Sequence, residues 1–314
     1  MIGVGYLGNF HAQKLKSLAT HPEFPVDLMG VCDISADNAN KVAASLQTQA
    51  FTDPRLLIGQ VDLVTIATIT SSHYQVAKMF LESGVHVNVE KPITIRCSQA
   101  QELIDIAKKN GVNLSVGHSE RFNPAFQLIK SKVHRPIYME AHRLAPFKAK
   151  NLDASVIHDL MIHDFDLALS FDRTHAKIVS YSGAKFLTDT IDWGHCTIEF
   201  ESGFKASIGT SRFHPTMVRS IKVMDKTSQW TGNLQTGDVE HISRNHHESL
   251  TGAPLAVEVV ATGKGDNLMA ETLDVVQAVY QNRAPMITGQ DGLRALVLAE
   301  ELISLLQTER SYTA

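Results

Sequence analysis

Apolar positions follow two alternating periods over the first 118 residues of the chain. Short runs that are apolar throughout, or apolar at every second position, predict strands. The segments between them repeat apolar residues every three or four positions, which predicts helices with one buried face. The predicted strands are Met1–Val4, Val26–Val31, Val61–Ala67, Val85–Val89 and Asn113–Val116, and the predicted helices are Asn9–Ala19, Ala36–Leu46, Tyr74–Ser83 and Ser98–Lys109. Strands that alternate with helices in this way predict a doubly wound parallel sheet with helices on both faces.

The pattern changes after residue 118. A strand and a helix are followed by four strands with no helix between them, which predicts a mostly antiparallel open sheet covered by helices. The predicted strands are Ile137–Leu144, Ile178–Gly183, Gly194–Phe200, Phe204–Thr210 and Ser220–Asp225; the helices are Ser155–Phe171, Asn267–Gln281 and Gly292–Gln307; and the polar stretch 245–265 is predicted to be a loop. We therefore predict an α/β domain over residues 1–118 and an α+β domain over 119–314, whose uncovered sheet face is suited to self-association.

Composition narrows the class of protein. Apolar residues make up 44% of the chain and charged residues 20%, with a net charge of −4, as expected of a soluble globular protein. No basic block and no long apolar run occurs, so we expect neither nucleic acid nor a membrane as partner. The three cysteines, Cys32, Cys97 and Cys196, match neither a disulfide framework nor a zinc spacing. No secretory signal opens the sequence, and we expect a cytoplasmic protein.

Three glycines follow the first predicted strand, in the order Gly3, Gly5 and Gly8. A dinucleotide-binding turn needs the first for a tight bend, the second for close approach of a pyrophosphate, and the third for packing of helix on strand. The amides that open the helix, at Tyr6 and Leu7, would then face the phosphates. The strand before the turn is short for such a fold. We interpret this stretch as the cofactor turn of a Rossmann fold.

Asp33 ends the second predicted strand, where an acid can bind the ribose hydroxyls of the cofactor. Its neighbours Ile34 and Ser35 supply no arginine for a 2′-phosphate, which favours NAD over NADP. The alternative interpretation of the whole stretch is a tight turn followed by a helix-capping aspartate.

Two polar segments follow later strands of the parallel sheet, at the end where ligands bind. Glu90-Lys91-Pro92 leaves an acid and an amine at a strand end, unless the two form only a surface pair. The segment from His118 to Pro124 contains Glu120, Arg121 and Asn123. Arginine suits phosphate or carboxylate, and asparagine and histidine suit sugar hydroxyls. The alternative for this second segment is a solvated linker.

Asp159 and His163 are four residues apart on a predicted helix and therefore share a face. A carboxylate one turn from a histidine can fix its tautomer and raise its basicity, which suits proton transfer. A histidine–aspartate pair with a purely structural role is the first alternative. A metal site built from Asp159, His163 and Asp166 is the second.

Four motifs in this order resemble the glucose-fructose oxidoreductase / inositol dehydrogenase / MocA (Gfo/Idh/MocA) family of NAD(P)-dependent sugar oxidoreductases. The motifs are Gly3-x-Gly5-x-x-Gly8, Ala67-Thr68 with Ser72-His73, Glu90-Lys91-Pro92, and Asp159-x-x-x-His163-x-x-Asp166. The resemblance implies that Lys91, Asp159 and His163 line the catalytic site. It also implies that the residues around Thr68, His73, Glu90 and Lys91 contact the cofactor NAD. We expect no metal. The family's usual proline after Ala-Thr is Ile69 here.

A branch of this family is similar in a further set of residues, which comprises His118, Glu120, Arg121, Asn123, and Arg143 in the motif Arg143-x-x-Pro146-Phe147. The resemblance implies that these residues bind a UDP-linked N-acetyl-hexosamine, whose C3 hydroxyl is oxidised to a ketone. His163 is then the expected base, oriented by Asp159, and Lys91 stabilises the oxygen or acts as the base itself. The alternatives are a dehydrogenase of a free polyol or cyclitol, and a non-catalytic NAD-binding regulator. We expect a homodimer or homotetramer formed through the C-terminal sheet.

Overall fold

The computed structural model describes residues 1–148, 154–244 and 255–308, and the chain forms two compact units. Among the described residues, the first unit comprises Met1–Ser119 and Leu268–Leu293, and the second comprises the residues within Glu120–Asn267 and those from 294 to 308. Residues 268–293 thus pack with the first unit, whereas the sequence pattern assigned them to the second domain. The division into an NAD-binding domain over 1–118 and a substrate-binding domain over 119–314 stays a prediction.

The described residues contain eight α-helices and thirteen strands. The helices are α1 (Tyr6–Ser17), α2 (Ala36–Leu46), α3 (Thr70–Glu82), α4 (Cys97–Asn110), α5 (Pro124–Lys132), α6 (Ile162–Phe171), α7 (Asn267–Tyr280) and α8 (Gly289–Thr308). The strands are β1 (Gly30–Cys32), β2 (Gln49–Phe51), β3 (Leu63–Ile66), β4 (His86–Glu90), β5 (Leu114–Gly117), β6 (Tyr138–Leu144), β7 (Ala176–Ala184), β8 (Trp193–Phe200), β9 (Lys205–Ser211), β10 (Val218–Met224), β11 (Ser228–Asn233), β12 (Asp238–Arg244) and β13 (Leu255–Ala261). No described helix has both the length and the apolar content to cross a membrane.

The first unit is built on a parallel sheet, as predicted. β1 pairs with β2, and β3, β4 and β5 pair in that order, all in parallel. Ile2 joins the two groups through bridges to Cys32 and Ile66. The predicted strand Met1–Val4 is therefore reduced to bridging residues, because the chain already turns at Gly3, which has a φ of +78°. β2 was not predicted, since its three residues are largely exposed and show no apolar alternation.

The centre of this sheet is buried on both faces. Val87, Asn88 and Val89 in β4 are all inaccessible, although they point alternately to opposite faces. Such burial is expected of parallel strands covered by helices. The burial of β4 fixes the position of its carboxyl end, at Glu90, from which the following residues extend.

The second unit contains an eight-stranded sheet in the order β13-β12-β11-β10-β6-β9-β8-β7. All neighbours are antiparallel except β6 and β9, which confirms the predicted mostly antiparallel sheet. In β6, Met139 and Ala141 are fully buried and alternate with partly exposed residues, so one face packs on a core and the other is more open. The buried face is covered by α5 and α6, which contribute Phe126 and Phe165 to that core.

Two sequence predictions for this unit were wrong. The predicted loop 245–265 contains β13 over Leu255–Ala261, a run rich in valine and alanine whose polar neighbours masked its strand signal. Residues 245–254, which include His246 and His247, lie outside the described residues. The predicted helix Ser155–Phe171 is interrupted, because Ile157–Met161 form a π-helical turn before α6 begins at Ile162.

Candidate active site

The three glycines after Ile2 each have a separate steric reason. A Cβ on Gly3 would stand 2.8 Å from the backbone of Ala67, and a Cβ on Gly8 would stand 1.8 Å from the carbonyl oxygen of Gly3. Apart from its neighbours in the chain, no residue comes within 4 Å of the corresponding position on Gly5. The first and third glycines thus close the turn, and the second borders open space at the start of α1. This arrangement fits a pyrophosphate against the helix amides.

Asp33 links the glycine turn to the end of β1. Its Oδ2 accepts a hydrogen bond from the amide of Val4 at 2.9 Å, and its Oδ1 accepts one from the amide of Ser35 at 2.9 Å. The helix cap is Ser35, whose hydroxyl accepts from the amide of Asn38. The alternative in which Asp33 caps the helix is therefore wrong. Ile34 is 98% exposed beside this acid, so no cation stands at that position to meet a 2′-phosphate.

The loop after β3 is braced by His73. The ring is buried, with Nδ1 3.0 Å from the carbonyl oxygen of Pro92 and Nε2 3.1 Å from that of Thr68. Burial lowers the pKa of His73, although both carbonyls oppose this shift. The ring therefore lies between the loop after β3 and the loop after β4, and in its neutral form it can donate to only one of the two carbonyls. Ile69, which lies just before α3, stands where the family usually has proline. Its φ of −67° is the angle that proline imposes, so the loop keeps the same backbone shape with isoleucine.

Glu90 and Lys91 stand at the carboxyl end of β4. The Oε1 of Glu90 lies 2.7 Å from Nε2 of His11 in α1, and its Oε2 accepts from the amide of Lys91 at 3.2 Å. Burial raises the pKa of Glu90, but the hydrogen bond from His11 and the charge of Lys91 outweigh it and hold the pKa below its usual value. A Cβ on Gly117 would stand 3.0 Å from this carboxylate. The structure thus holds an ionised acid against the backbone amide of Lys91, a residue that is half-buried.

The polar segment after β5 is buried, so the solvated-linker alternative is wrong. His118, Glu120, Arg121 and Asn123 are each at most about one-twentieth exposed. The Nδ2 of Asn123 donates to the carbonyl oxygen of Leu234 at 2.8 Å, while its Oδ1 caps α5. The guanidinium of Arg121 forms a bidentate pair with Asp166, at 2.7 and 2.6 Å.

A second arginine of the candidate substrate set is also paired. The guanidinium of Arg143 donates to both carboxylate oxygens of Asp164, at 3.0 and 2.9 Å, and to Glu120 at 3.2 Å. Burial alone lowers the pKa of Arg143, but the two acids reverse this and raise it. Burial raises the pKa of Asp164 despite that arginine. Arg219 faces Arg143 across β6 and β10 and also donates to Glu120, at 3.0 Å.

Asp159 and His163 lie on either side of the junction between the π-helical turn and α6, and both are half-buried. A π turn places its hydrogen bonds five residues apart, so the pair is not held by a regular α-helical repeat. Such turns recur at functional sites. Asp166 is committed to Arg121, and in the described residues the only three-residue group with metal-ligand spacing is His11, Glu90 and Glu271. This geometry does not favour the alternative metal site at Asp159, His163 and Asp166.

Comparison with known proteins connects this geometry to a family. A family model described as "Oxidoreductase family, NAD-binding Rossmann fold" matches residues 1–118. Over 305 residues the chain is 35% identical to UDP-N-acetylglucosamine 3-dehydrogenase of Acidithiobacillus ferrooxidans, an alignment that covers 95% of this chain and 94% of that protein. The chain belongs to the Gfo/Idh/MocA oxidoreductase family.

Other members of the Gfo/Idh/MocA family support the fold over its whole length. The solved structure of UDP-N-acetylglucosamine 3-dehydrogenase from Acidithiobacillus ferrooxidans matches with a TM-score of 0.91 at 32% identity, over 98% of this chain and 97% of that one. Myo-inositol 2-dehydrogenase of Thermotoga maritima is 23% identical over 339 residues, which cover 99% of this chain and 96% of that protein. The family membership confirms the predicted enzyme class, an NAD-dependent oxidoreductase, and the predicted cofactor.

Three residues of these clusters were not predicted from the sequence. His11 is a lone polar residue on a helix, Glu271 lies in α7 far along the chain, and Arg219 lies in a strand with no motif. Each is recognisable only through a partner that is distant in sequence. The register of β6 with β10 places Arg219 opposite Arg143. The sequence does not give that register, so it offered no signal for Arg219.

Proposed function

We propose that the protein oxidises a hydroxyl-bearing carbon of a sugar to a ketone, and that the sugar is a UDP-linked N-acetyl-hexosamine oxidised at C3. The observation that carries the reaction class is the position of Lys91, which follows β4 directly and whose backbone amide donates to Glu90, the acid that His11 contacts. The full-length similarity to UDP-N-acetylglucosamine 3-dehydrogenase supports the substrate. The fold alone would support neither, since one fold hosts many reactions.

Residues of the first unit are assigned to the cofactor. Gly3, Gly5 and Gly8 with the amides of Tyr6 and Leu7 would hold the pyrophosphate, and Asp33 the ribose hydroxyls, which suits its place beside the turn. Thr68, His73 and Glu90 would line the rest of the cofactor site. NAD, when bound, accepts the hydride that leaves the sugar carbon.

His163 is our first choice for the general base, and Asp159 would orient its ring. The base takes the hydroxyl proton as the C–H bond breaks and the C=O bond forms. Lys91 would donate a hydrogen bond to the same oxygen and stabilise the negative charge that develops on it. The alternative gives the role of base to Lys91 itself.

Contacts of the substrate with His118, Glu120, Arg121, Asn123 and Arg143 stay a prediction. Arg121 and Arg143 already pair with buried acids. Their positive charges are therefore neutralised within the protein, which favours a structural role over binding of a diphosphate. Arg219, whose side chain is 38% exposed, is the cation of this cluster best able to meet one.

The relationship to myo-inositol 2-dehydrogenase favours a second candidate substrate, a free cyclitol or polyol. The test is NADH formation from NAD in the presence of UDP-N-acetylglucosamine, UDP-N-acetylgalactosamine, N-acetylglucosamine or myo-inositol, each repeated with NADP. We expect turnover only with the UDP-linked sugars and a preference for NAD. Turnover with myo-inositol alone would replace the substrate that we propose. Binding of NAD without turnover of any substrate would favour a regulator.

We further propose that the enzyme is a homodimer or homotetramer formed through the sheet of the second unit. Leu255, Val257 and Val259 alternate along β13, the edge strand of that sheet, and all three are exposed. An exposed apolar edge of this kind favours association. Light scattering of the wild-type chain and of Val257→Lys would measure the mass. A monomeric wild-type chain at working concentration would contradict the proposal.

A further inference from the structure

Three titratable side chains meet in the interior of the first unit, behind Lys91. Single donor or acceptor atoms of His11, Glu90 and Glu271 all lie within 4.8 Å of one another, and all three residues are buried. The residues come from α1, β4 and α7. The reaction proposed above assigns no role to Glu271, which is fully buried in α7.

The hydrogen bonds around the two acids are unequal. Glu90 has His11 at 2.7 Å and the amide of Lys91 at 3.2 Å as donors. The Oε1 of Glu271 has the Nδ2 of Asn88 at 3.3 Å, and its Oε2 is buried without a hydrogen-bond partner among the described residues. A buried carboxylate with so little compensation is strongly disfavoured as an anion.

The charges around Glu271 point the same way. The groups that face it are His11 on α1, Asn88 and Glu90 on β4, and Asp274 on its own helix. Burial raises the pKa of Glu271 well above its ordinary value, and the negative charges of Glu90 and Asp274 raise it further, against the hydrogen bond from Asn88. Two carboxylates this close in a buried interior retain one proton between them.

We propose that Glu271 is the proton-carrying member of a buried His11–Glu90–Glu271 cluster and is a positioning residue for Lys91. With the proton on Glu271, Glu90 is the one ionised acid of the cluster, and it lies beside the backbone of Lys91. That single charge keeps the Lys91 ammonium in place without placing a second anion in the core. The role of the cluster in catalysis rests on the proposed function, whereas the location of the proton does not.

The first test locates the proton in the protein without substrate. We expect the infrared spectrum at neutral pH to contain a protonated carboxylic-acid band that is lost in Glu271→Gln and retained in Glu23→Gln, a matched change at an exposed glutamate of the same unit. Loss of the band in Glu90→Gln but not in Glu271→Gln would place the proton on Glu90 and overturn the assignment. Absence of the band from the wild-type protein would also overturn it.

The second test follows thermal unfolding with pH. An acid whose pKa is raised by folding stabilises the protein below its unfolded pKa of 4.5, and that contribution is lost as pH rises towards the folded value. Glutamine cannot ionise, so the midpoint of Glu271→Gln should gain on the wild type as pH rises from about 5 to about 8. A difference that stays constant over this range would overturn the proposal. So would stabilisation of the wild type by Zn²⁺ that Glu271→Gln abolishes, because a metal would need both acids ionised.

The third test connects the cluster to Lys91. Glu90→Gln removes the anion beside that amine, so the alkaline limb of turnover against pH should move to lower pH. An unmoved limb in an active Glu90→Gln enzyme would show that the anion of the cluster does not act on Lys91, and would refute the positioning role of the cluster to which Glu271 belongs. If no substrate is turned over, the proposed function fails, while the infrared and unfolding results still decide where the proton lies.

Discussion

Arg121 and Asp166 form a bidentate ion pair, with two hydrogen bonds at 2.7 and 2.6 Å, and both side chains are buried. A buried pair of this kind contributes little net stability compared with apolar residues, but losing one partner leaves a charge in the core. The pair joins the first turns of the second unit to α6, which carries His163. It therefore fixes the helix on which the proposed base lies.

Removal of one partner should be far more costly than removal of both. We expect Asp166→Ala to lower the free energy of unfolding by about 3–5 kcal/mol, because the Arg121 guanidinium is left buried and unpaired. The double variant Arg121→Met/Asp166→Leu should recover most of this loss. Urea unfolding of the three proteins measures both effects. A loss below about 1 kcal/mol in Asp166→Ala would mean that the pair is solvated.

Substitutions at two glycines should separate folding from cofactor binding. Gly8→Ala places a methyl group 1.8 Å from the carbonyl oxygen of Gly3, so we expect destabilisation of at least about 1–3 kcal/mol. Gly5 has a φ of −63° and open space around it, so Gly5→Ala should fold normally. It should nevertheless weaken NAD binding about tenfold or more, the equivalent of one hydrogen bond to a charged group. Thermal unfolding with and without NAD measures both; equal behaviour of the two variants would contradict the assigned roles.

Lys91→Ala and His163→Ala should each lower turnover at least ~100-fold, the low end of general acid–base effects. Lys109→Ala, at an exposed position near the end of α4, is the matched control and should keep wild-type turnover. NADH formation gives the rates, and circular dichroism checks that each variant is folded. Rates near the wild-type value in both site variants would remove the proposed site.

His73 should make the protein less stable in acid. Burial holds its folded pKa below the ordinary value of 6.5, so the unfolded chain binds the proton more readily. Stability is therefore complete above about pH 6.5 and falls as pH decreases towards the folded pKa. His73→Gln should flatten this part of the unfolding profile, whereas His134→Gln, at an exposed histidine, should not. Superimposable profiles for the wild type and His73→Gln would show that the ring titrates normally.

The local features of this fold were predictable and the pairings were not. The glycine turn follows from steric rules that act within a few residues, and the alternation of apolar positions was enough to predict both sheets. β11 and β12 were missed because their exposed faces carry polar residues that obscure a strand pattern. The π-helical turn at Ile157–Met161 has no sequence pattern that distinguishes it from an α-helix.

The candidate site shows the same limit. An arginine can be expected to form two parallel hydrogen bonds, but the sequence does not show which acid accepts them. Arg121 pairs with Asp166, 45 residues away, and Arg143 pairs with Asp164, 21 residues away. Glu271 lies 183 residues from Asn88, which donates to it. Sequence spacing reveals groups that share a helix or a turn, whereas these contacts depend on how whole elements pack.

Residues 268–293 belong to the first unit but are translated long after its strands, which constrains the order of folding during synthesis. Three side chains of the early sheet donate hydrogen bonds to this segment. Asn88 donates to Glu271, Asn113 to the carbonyl oxygen of Arg283, and Ser115 to that of Ile287. A ribosome that has translated every strand of the parallel sheet still lacks those partners, and must add most of the remaining chain before they emerge. The nascent nucleotide-binding unit therefore cannot complete these hydrogen bonds until translation is nearly over. A truncated chain ending near residue 118 would lack the same partners permanently.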